Sequence, residues 1–254
     1  MHFFFEFRNN VWMFFLVLIT CFAISCGMRF WQFEKWKQNE SAYFVDEKPM
    51  MTTLDAPHWL RIAREYNEGK SSKGALKGAL KDYPSGNKNF RAIAIPKEYD
   101  DAILFPTKKV SLETRYRDIP LLSFLIAQIA PYFKNNYFLT GTLLIPIFAS
   151  LFILPLGFYF FRVGLPISGL LGGLIGTFSG GYYMRSSIGR IDTDMLNLFF
   201  PVLASLFILA AYQAKTQKNV LLFSALAGLV LFLFGWWYSK PGFTMAYFAV
   251  LLAS

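Results

Sequence analysis

The chain has 254 residues, of which 55% are hydrophobic, 19% aromatic and only 16% charged, and its mean hydropathy is positive. That balance excludes an ordinary soluble domain, and apolar runs of about 20 residues, each able to cross a bilayer as a helix, recur along it. The net charge of +9 comes without an aromatic-basic recognition motif, which excludes a nucleic-acid binder; it suits loops that orient a membrane protein and contact anionic lipid.

The composition therefore predicts an all-α polytopic membrane protein with about five to six transmembrane helices. Residues 1–28 form the first span: Val11 to Met28 follows Arg8 and is long for a signal-peptide core. Cys21 and Cys26 lie inside this run, where packing rather than a disulfide is the expected role. AISC before Gly27 resembles a lipoprotein cleavage site only faintly, because no leucine stands three residues before Cys26.

Residues 29–136 read as one large external loop with short helices. Composition turns polar from Arg29, and about 90 such residues are too many for a simple connection. KGALKGALKDYPSGNKN is its loosest part, and the paired segments Gly74–Leu76 and Gly78–Leu80 are too short to be a structural repeat. MTTLDAPHWLRIAREYNEG places Asp55 just before an amphipathic helix carrying Leu60, Ile62, Ala63 and Tyr66. Pro120 to Phe133 is apolar but too short to span, which predicts an interfacial or re-entrant helix.

Residues 137–254 hold the remaining spans, near Tyr137–Phe161, Gly164–Tyr182, Leu196–Tyr212 and Val220–Tyr238, with a last run from Phe243 cut off at Ser254. GLLGGLIGTFSGG supplies small residues for close helix packing. If Arg8, Arg162, Lys215 and Lys218 face the cytoplasm, every span alternates consistently under the positive-inside rule. The large loop and the Arg185–Asp194 segment then share the opposite, external face.

That segment carries Arg185, Arg190, Asp192 and Asp194 within ten residues. An extended DTD points both carboxylates the same way. Two close carboxylates repel, so a divalent cation, an arginine or both must share the site; oxygen ligands suit Mg²⁺ or Mn²⁺. Arg185, seven residues before Asp192, lies two helical turns away on the same face and is a candidate partner. Helix capping accounts for the same aspartates equally simply, both here and at Asp55, and the two readings stand side by side. His58 reads as a polar helix-start residue rather than a ligand.

Asp55 in LDAPHWLRIAREYNEG, together with RSSIGRIDTDMLNLFFP, resembles the catalytic subunit of oligosaccharyltransferase, above all its bacterial single-subunit PglB type, a GT-C glycosyltransferase. An early loop aspartate followed by an aromatic and an arginine is matched by Asp55, Trp59 and Arg61. An arginine with an acidic-x-acidic element seven residues later is matched by Arg185, Asp192 and Asp194. The resemblance covers the whole chain but only the N-terminal part of such an enzyme. The family's catalytic glutamate, its WWD motif and its C-terminal globular domain are absent, and the chain reads as a fragment expected to be inactive alone. GWWYSKPG is not the WWD motif, since Tyr238 stands at its third position. Pro57-His58 also departs from the residues usual after the first aspartate.

The resemblance implies N-glycosylation: transfer of an oligosaccharide from a polyprenyl-pyrophosphate donor to asparagine of an Asn-x-Ser/Thr acceptor polypeptide. It implies Mn²⁺ or Mg²⁺ held by Asp55 and Asp192, and catalytic roles for Asp55, Asp192, Asp194 and Arg185. It also implies a multi-pass protein of the inner (plasma) membrane with a periplasmic catalytic face. The alternatives are another polyprenyl-sugar-dependent membrane glycosyltransferase, or a non-enzymatic transporter or scaffold in which the charges only cap and orient helices.

Overall fold

A computed structural model describes residues 10–68 and 119–238. Arg8, the KGALKGALKDYPSGNKN stretch with its paired GAL segments, and the run from Phe243 lie outside the described residues. Helix α1 spans Val11–Lys37 and starts at Asn10, whose side chain accepts the Met13 amide proton. It runs nine residues beyond Met28. A one-turn helix α2 (Glu40–Tyr43) leads into a two-residue hairpin, β1 (Phe44–Val45) and β2 (Lys48–Pro49). The amphipathic helix α3 (Ala56–Asn67) follows.

The short apolar segment forms α4 (Leu121–Ile129), continued by a 3₁₀ turn at Ala130–Phe133. Its place is against α3: Ser123 Oγ donates to Trp59 O at 2.9 Å and Asn67 Nδ2 donates to Ala127 O at 2.8 Å. Those bonds satisfy polar groups that an apolar surface alone would leave without partners.

The remaining helices are α5 (Tyr137–Ser150), α6 (Ile153–Arg162), α7 (Pro166–Phe178), α8 (Gly180–Arg185), α9 (Phe199–Tyr212) and α10 (Gln217–Trp237). Among the described residues four helical stretches are long and apolar enough to cross a membrane: Val11–Lys37, Tyr137–Arg162, Thr193–Tyr212 and Gln217–Trp237. The protein is thus an all-α polytopic membrane protein. The run read as a third span is broken. Extended backbone at Ser179 (ψ 133°) separates α7 from α8.

Arg162, at the C-terminus of α6, donates to Gln213 just beyond α9 at 3.2 Å. With Val11 these residues line a groove where α1 begins. The opposite end of the bundle gathers the C-terminal ends of α1, α8 and α10 and the N-terminal ends of α5 and α9. There the main core joins Leu60 and Ala63 of α3, Leu122 and Ile126 of α4 and Ile145 of α5 to Ile191, Met195, Phe200 and Phe234. Amphipathic α3 is therefore held by apolar burial against the bundle end, which is the dominant force available to it.

Gly141 of α5 makes one such contact possible. A β-carbon there would lie 2.5 Å from Ile191 Cδ1 and 3.2 Å from Leu60 Cδ2. Gly141→Val therefore overpacks the junction of α5, α3 and the Ile191 loop, and is expected to cost about 1–3 kcal/mol. Thermal unfolding in detergent checks this: a lowered midpoint is expected, and an unchanged one contradicts the packing.

Candidate functional site

The segment after α8 alternates inward and outward. Ile191, Thr193 and Met195 are buried, whereas Asp192 and Asp194 are half-buried between them. Asp192 is extended (φ −151°, ψ 165°), but Thr193–Leu196 tightens into a 3₁₀ turn, so the DTD element is not extended throughout. The two carboxylates nevertheless share the outward side. Asp192 caps the turn: its Oδ1 accepts the Thr193 amide proton at 2.6 Å. The backbone is further held by Trp237 at the end of α10, whose Nε1 donates to Thr193 O at 2.7 Å. Tyr182 shares its hydroxyl proton between Ala149 O (2.9 Å) and Met195 O (3.1 Å).

Arg185 pairs with Asp194, not Asp192. Its Nη1 lies 3.3 Å from Asp194 Oδ2, and Asn197 Nδ2 donates to Asp194 Oδ1 at 3.2 Å. The expected two-turn helical spacing fails because α8 ends at Arg185, and a turn with Gly189 at φ +80° follows. Beyond that turn it is Asp194, not Asp192, that reaches the arginine.

Gly189 also joins the two loops. Its carbonyl accepts the Thr52 amide proton at 3.0 Å. A β-carbon at this position would meet Trp36 Cη2 at 2.6 Å and Met50 O at 2.7 Å. Both the left-handed backbone and the close approach call for glycine. Trp36 in turn stacks on Tyr43, with ring centroids 4.8 Å apart and planes 11° from parallel. Three residues past Thr52 stands Asp55, exposed, at the start of α3. Its side chain makes no capping bond to its helix, although its carbonyl begins the helical pattern by accepting from His58 N and Trp59 N. The carboxylate is thereby left uncommitted to the cap.

Electrostatics link the loops. The Asp192 carboxyl is pushed above the usual carboxylate range, first by burial and then by the like charges of Asp194 and Asp55. The Thr193 amide and the positive charge of Arg190 act the other way. His58 is pushed down, first by burial and then by Arg61, against the attraction of Asp55; this favours neutral imidazole at neutral pH.

Among the described residues no group of three or more His, Cys, Asp or Glu side chains is gathered closely enough to hold a metal ion. The donor chemistry fits a hard cation in part: Asp55 is free of its helix cap, and the Asp192 carboxyl is raised by burial and by its acidic neighbours. Asp55 and Asp192 alone are too few oxygen ligands for such a cation.

The segment assignments resolve differently. Asp192 and Asp194 come together through one turn, Arg185 joins them through Asp194, and Asp55 reaches Asp192 through its field. Nothing in the sequence singled out Trp237 beyond the aromatic pair in GWWYSKPG, and its bond to Thr193 spans 44 residues.

A family model described as "Oligosaccharyl transferase STT3, N-terminal" matches residues 106–253, more than half of the chain. The match contains Arg185, Asp192 and Asp194 and leaves Asp55 outside it. No curated protein matches the chain.

The raised Asp192 carboxyl fixes the sign of a pH effect. Folding favours the protonated acid, so ionising Asp192 costs stability; the penalty is complete above its folded-state pKa and absent below the ordinary value. Asp192→Asn keeps an oxygen for the Thr193 amide and removes the charge. In divalent-free buffer it is expected to melt above the natural protein at neutral pH, with the gap closing as pH falls into the ordinary carboxylate range. Thermal melts across that window decide it: a variant that melts lower at neutral pH contradicts the sign.

Proposed function

From a chain that belongs to the STT3 oligosaccharyl transferase family, a membrane-bound family of glycosyltransferases, we propose N-glycosylation of polypeptides in Asn-x-Ser/Thr sequences. The donor is a polyprenyl-pyrophosphate-linked oligosaccharide, and these residues form the membrane half of the catalytic unit. The observation that carries the reading is the joining of two separate loops at one end of the bundle, Thr52 N–H to Gly189 O, which sets Asp55 beside the Asp192–Asp194 turn.

The chemistry is demanding because an amide nitrogen has its lone pair delocalised into the carbonyl. In the transfer the asparagine nitrogen forms a bond to the anomeric carbon. The bond from that carbon to pyrophosphate oxygen breaks, its electron pair leaves with polyprenyl pyrophosphate, and one amide proton is lost to a carboxylate. Asp55 is the candidate acceptor: it is exposed and not engaged in capping. Hydrogen bonds from the amide to this carboxylate orient the nitrogen and weaken its conjugation, an advantage of positioning.

Asp55 and Asp192 are the residues that would hold a divalent cation, Mn²⁺ or Mg²⁺, and such an ion would supply positive charge near the pyrophosphate leaving group. Asp194 and Arg185 steady the turn that presents Asp192, and Arg185 limits repulsion between the carboxylates. The apolar helices below suit a donor carried in the membrane. The site faces the periplasmic side of the inner membrane in this reading, with Arg162, Lys215 and Lys218 at the cytoplasmic end.

Asp192→Ala in the full-length enzyme is expected to lower glycopeptide formation by at least about 100-fold, a loss typical of disturbed positioning. Chelation should silence the natural enzyme and added Mn²⁺ should restore it, but not the variant. Wild-type turnover by Asp192→Ala would remove this carboxylate from the mechanism.

A further inference from the structure

A second arginine lies at the centre of the bundle end rather than on its surface. Arg29 of α1 is completely buried, and its side chain is the largest fully buried one among the described residues. No carboxylate lies within ion-pair distance of it among those residues. Its partners are neutral. Nε donates to Ser186 O at 3.0 Å, and Nη2 donates to Ser186 Oγ at 2.8 Å and Thr177 O at 3.3 Å. Nη1 donates to Ser25 Oγ and Thr177 Oγ1, both at 3.0 Å, and to Ser25 O at 3.3 Å. All five N–H donors of the guanidinium thus find acceptors, and Tyr183 covers the charge with its ring centroid at 5.0 Å.

Losing Ser186 Oγ leaves a buried N–H of this cation without its acceptor, which is more costly than losing a surface contact. The elements that provide the acceptors are consequently tied to α1: the end of α7 through Thr177, and the end of α8 through both polar oxygens of Ser186. The acceptors are themselves linked, since Ser25 Oγ lies 2.6 Å from Ser150 Oγ and 2.7 Å from Thr177 Oγ1.

Ser186 immediately follows Arg185. The Arg185 side chain is 66% exposed and holds Asp194 by one contact of 3.3 Å. An exposed pair of that kind contributes little and cannot fix its own geometry. The backbone beneath it must do so. We propose that Arg29 is the positioning residue for the site, clamping Ser186 so that Arg185 is presented to Asp194 and the Gly189 turn is held to the first loop. The break at Ser179 makes such a clamp necessary, because α8 cannot inherit its direction from α7 through a continuous helix. The inference rests on the proposed function only where it gives Arg185 a part in catalysis.

Hydrogen exchange read by mass spectrometry on the full-length protein in nanodiscs tests the clamp without reference to activity. Arg29→Met removes all the donors; Ser186→Ala is the milder variant, removing the shorter of the two Nη2 contacts while keeping the backbone carbonyl. Amides of residues 186–194 are expected to exchange about tenfold faster in Arg29→Met and a few-fold faster in Ser186→Ala, with α9 and α10 unchanged. Unchanged protection of that segment in both variants overturns the proposal, as does acceleration spread evenly through every helix with Ser186→Ala silent. If Arg29→Met does not fold, the Ser186→Ala result decides. In the transfer assay Arg29→Met should lower kcat more than it changes the donor KM, and should add little in an Arg185→Ala background; additive losses contradict action through Arg185. An inactive natural enzyme would instead defeat the proposed function, leaving the exchange result to decide the clamp.

Discussion

One backbone hydrogen bond, from the Thr52 amide to the Gly189 carbonyl at 3.0 Å, brings together chain segments separated by 137 positions of sequence number. By itself such a bond contributes about 1 kcal/mol. Its leverage comes from crowding: Trp36 and the Met50 carbonyl occupy the space where a β-carbon at position 189 would stand. Gly189 is therefore the point at which the first loop can lie directly on the second, and the field of Asp55 at Asp192 depends on that approach. Burial of Ile191 and Met195 from below, and of Leu60 and Ala63 from the side, holds both loops on one core.

The charges at this end of the bundle divide into two kinds. Arg29 is buried, fully bonded to neutral oxygens, and serves the scaffold. Asp55, Asp192, Asp194 and Arg185 stand at or near the surface and are only loosely satisfied, and burial, then like charges, raise the carboxyl of Asp192. A structure optimised for stability alone would separate those carboxylates or pair each with its own cation. Here they are concentrated on one end of the bundle, above a buried arginine that none of them pairs with.

Much of the membrane architecture was legible in the sequence because apolar runs and short basic turns obey local rules. The acidic turn was legible for the same reason, through its density of charge in an apolar setting. Helical spacing misled for Arg185, since periodicity holds only while a helix continues, and α8 stops at that residue. Arg29 gave no signal of its own: it sits at the edge of an apolar run, where a basic residue ordinarily marks the interface. Its acceptors Thr177 and Ser186 lie about 150 residues away in sequence number. Trp237 likewise gave no signal of its bond to Thr193 O, which holds the backbone of the acidic turn.

Whether Asp55 and Asp192 share one electrostatic site is read by following the Asp192 carboxyl by infrared pH titration in divalent-free buffer, its band assigned by loss in Asp192→Asn. With Asp55 changed to asparagine, a neighbouring negative charge is gone, and the Asp192 carboxyl should titrate at lower pH than in the natural protein. An unchanged titration would show that the two loops do not meet electrostatically.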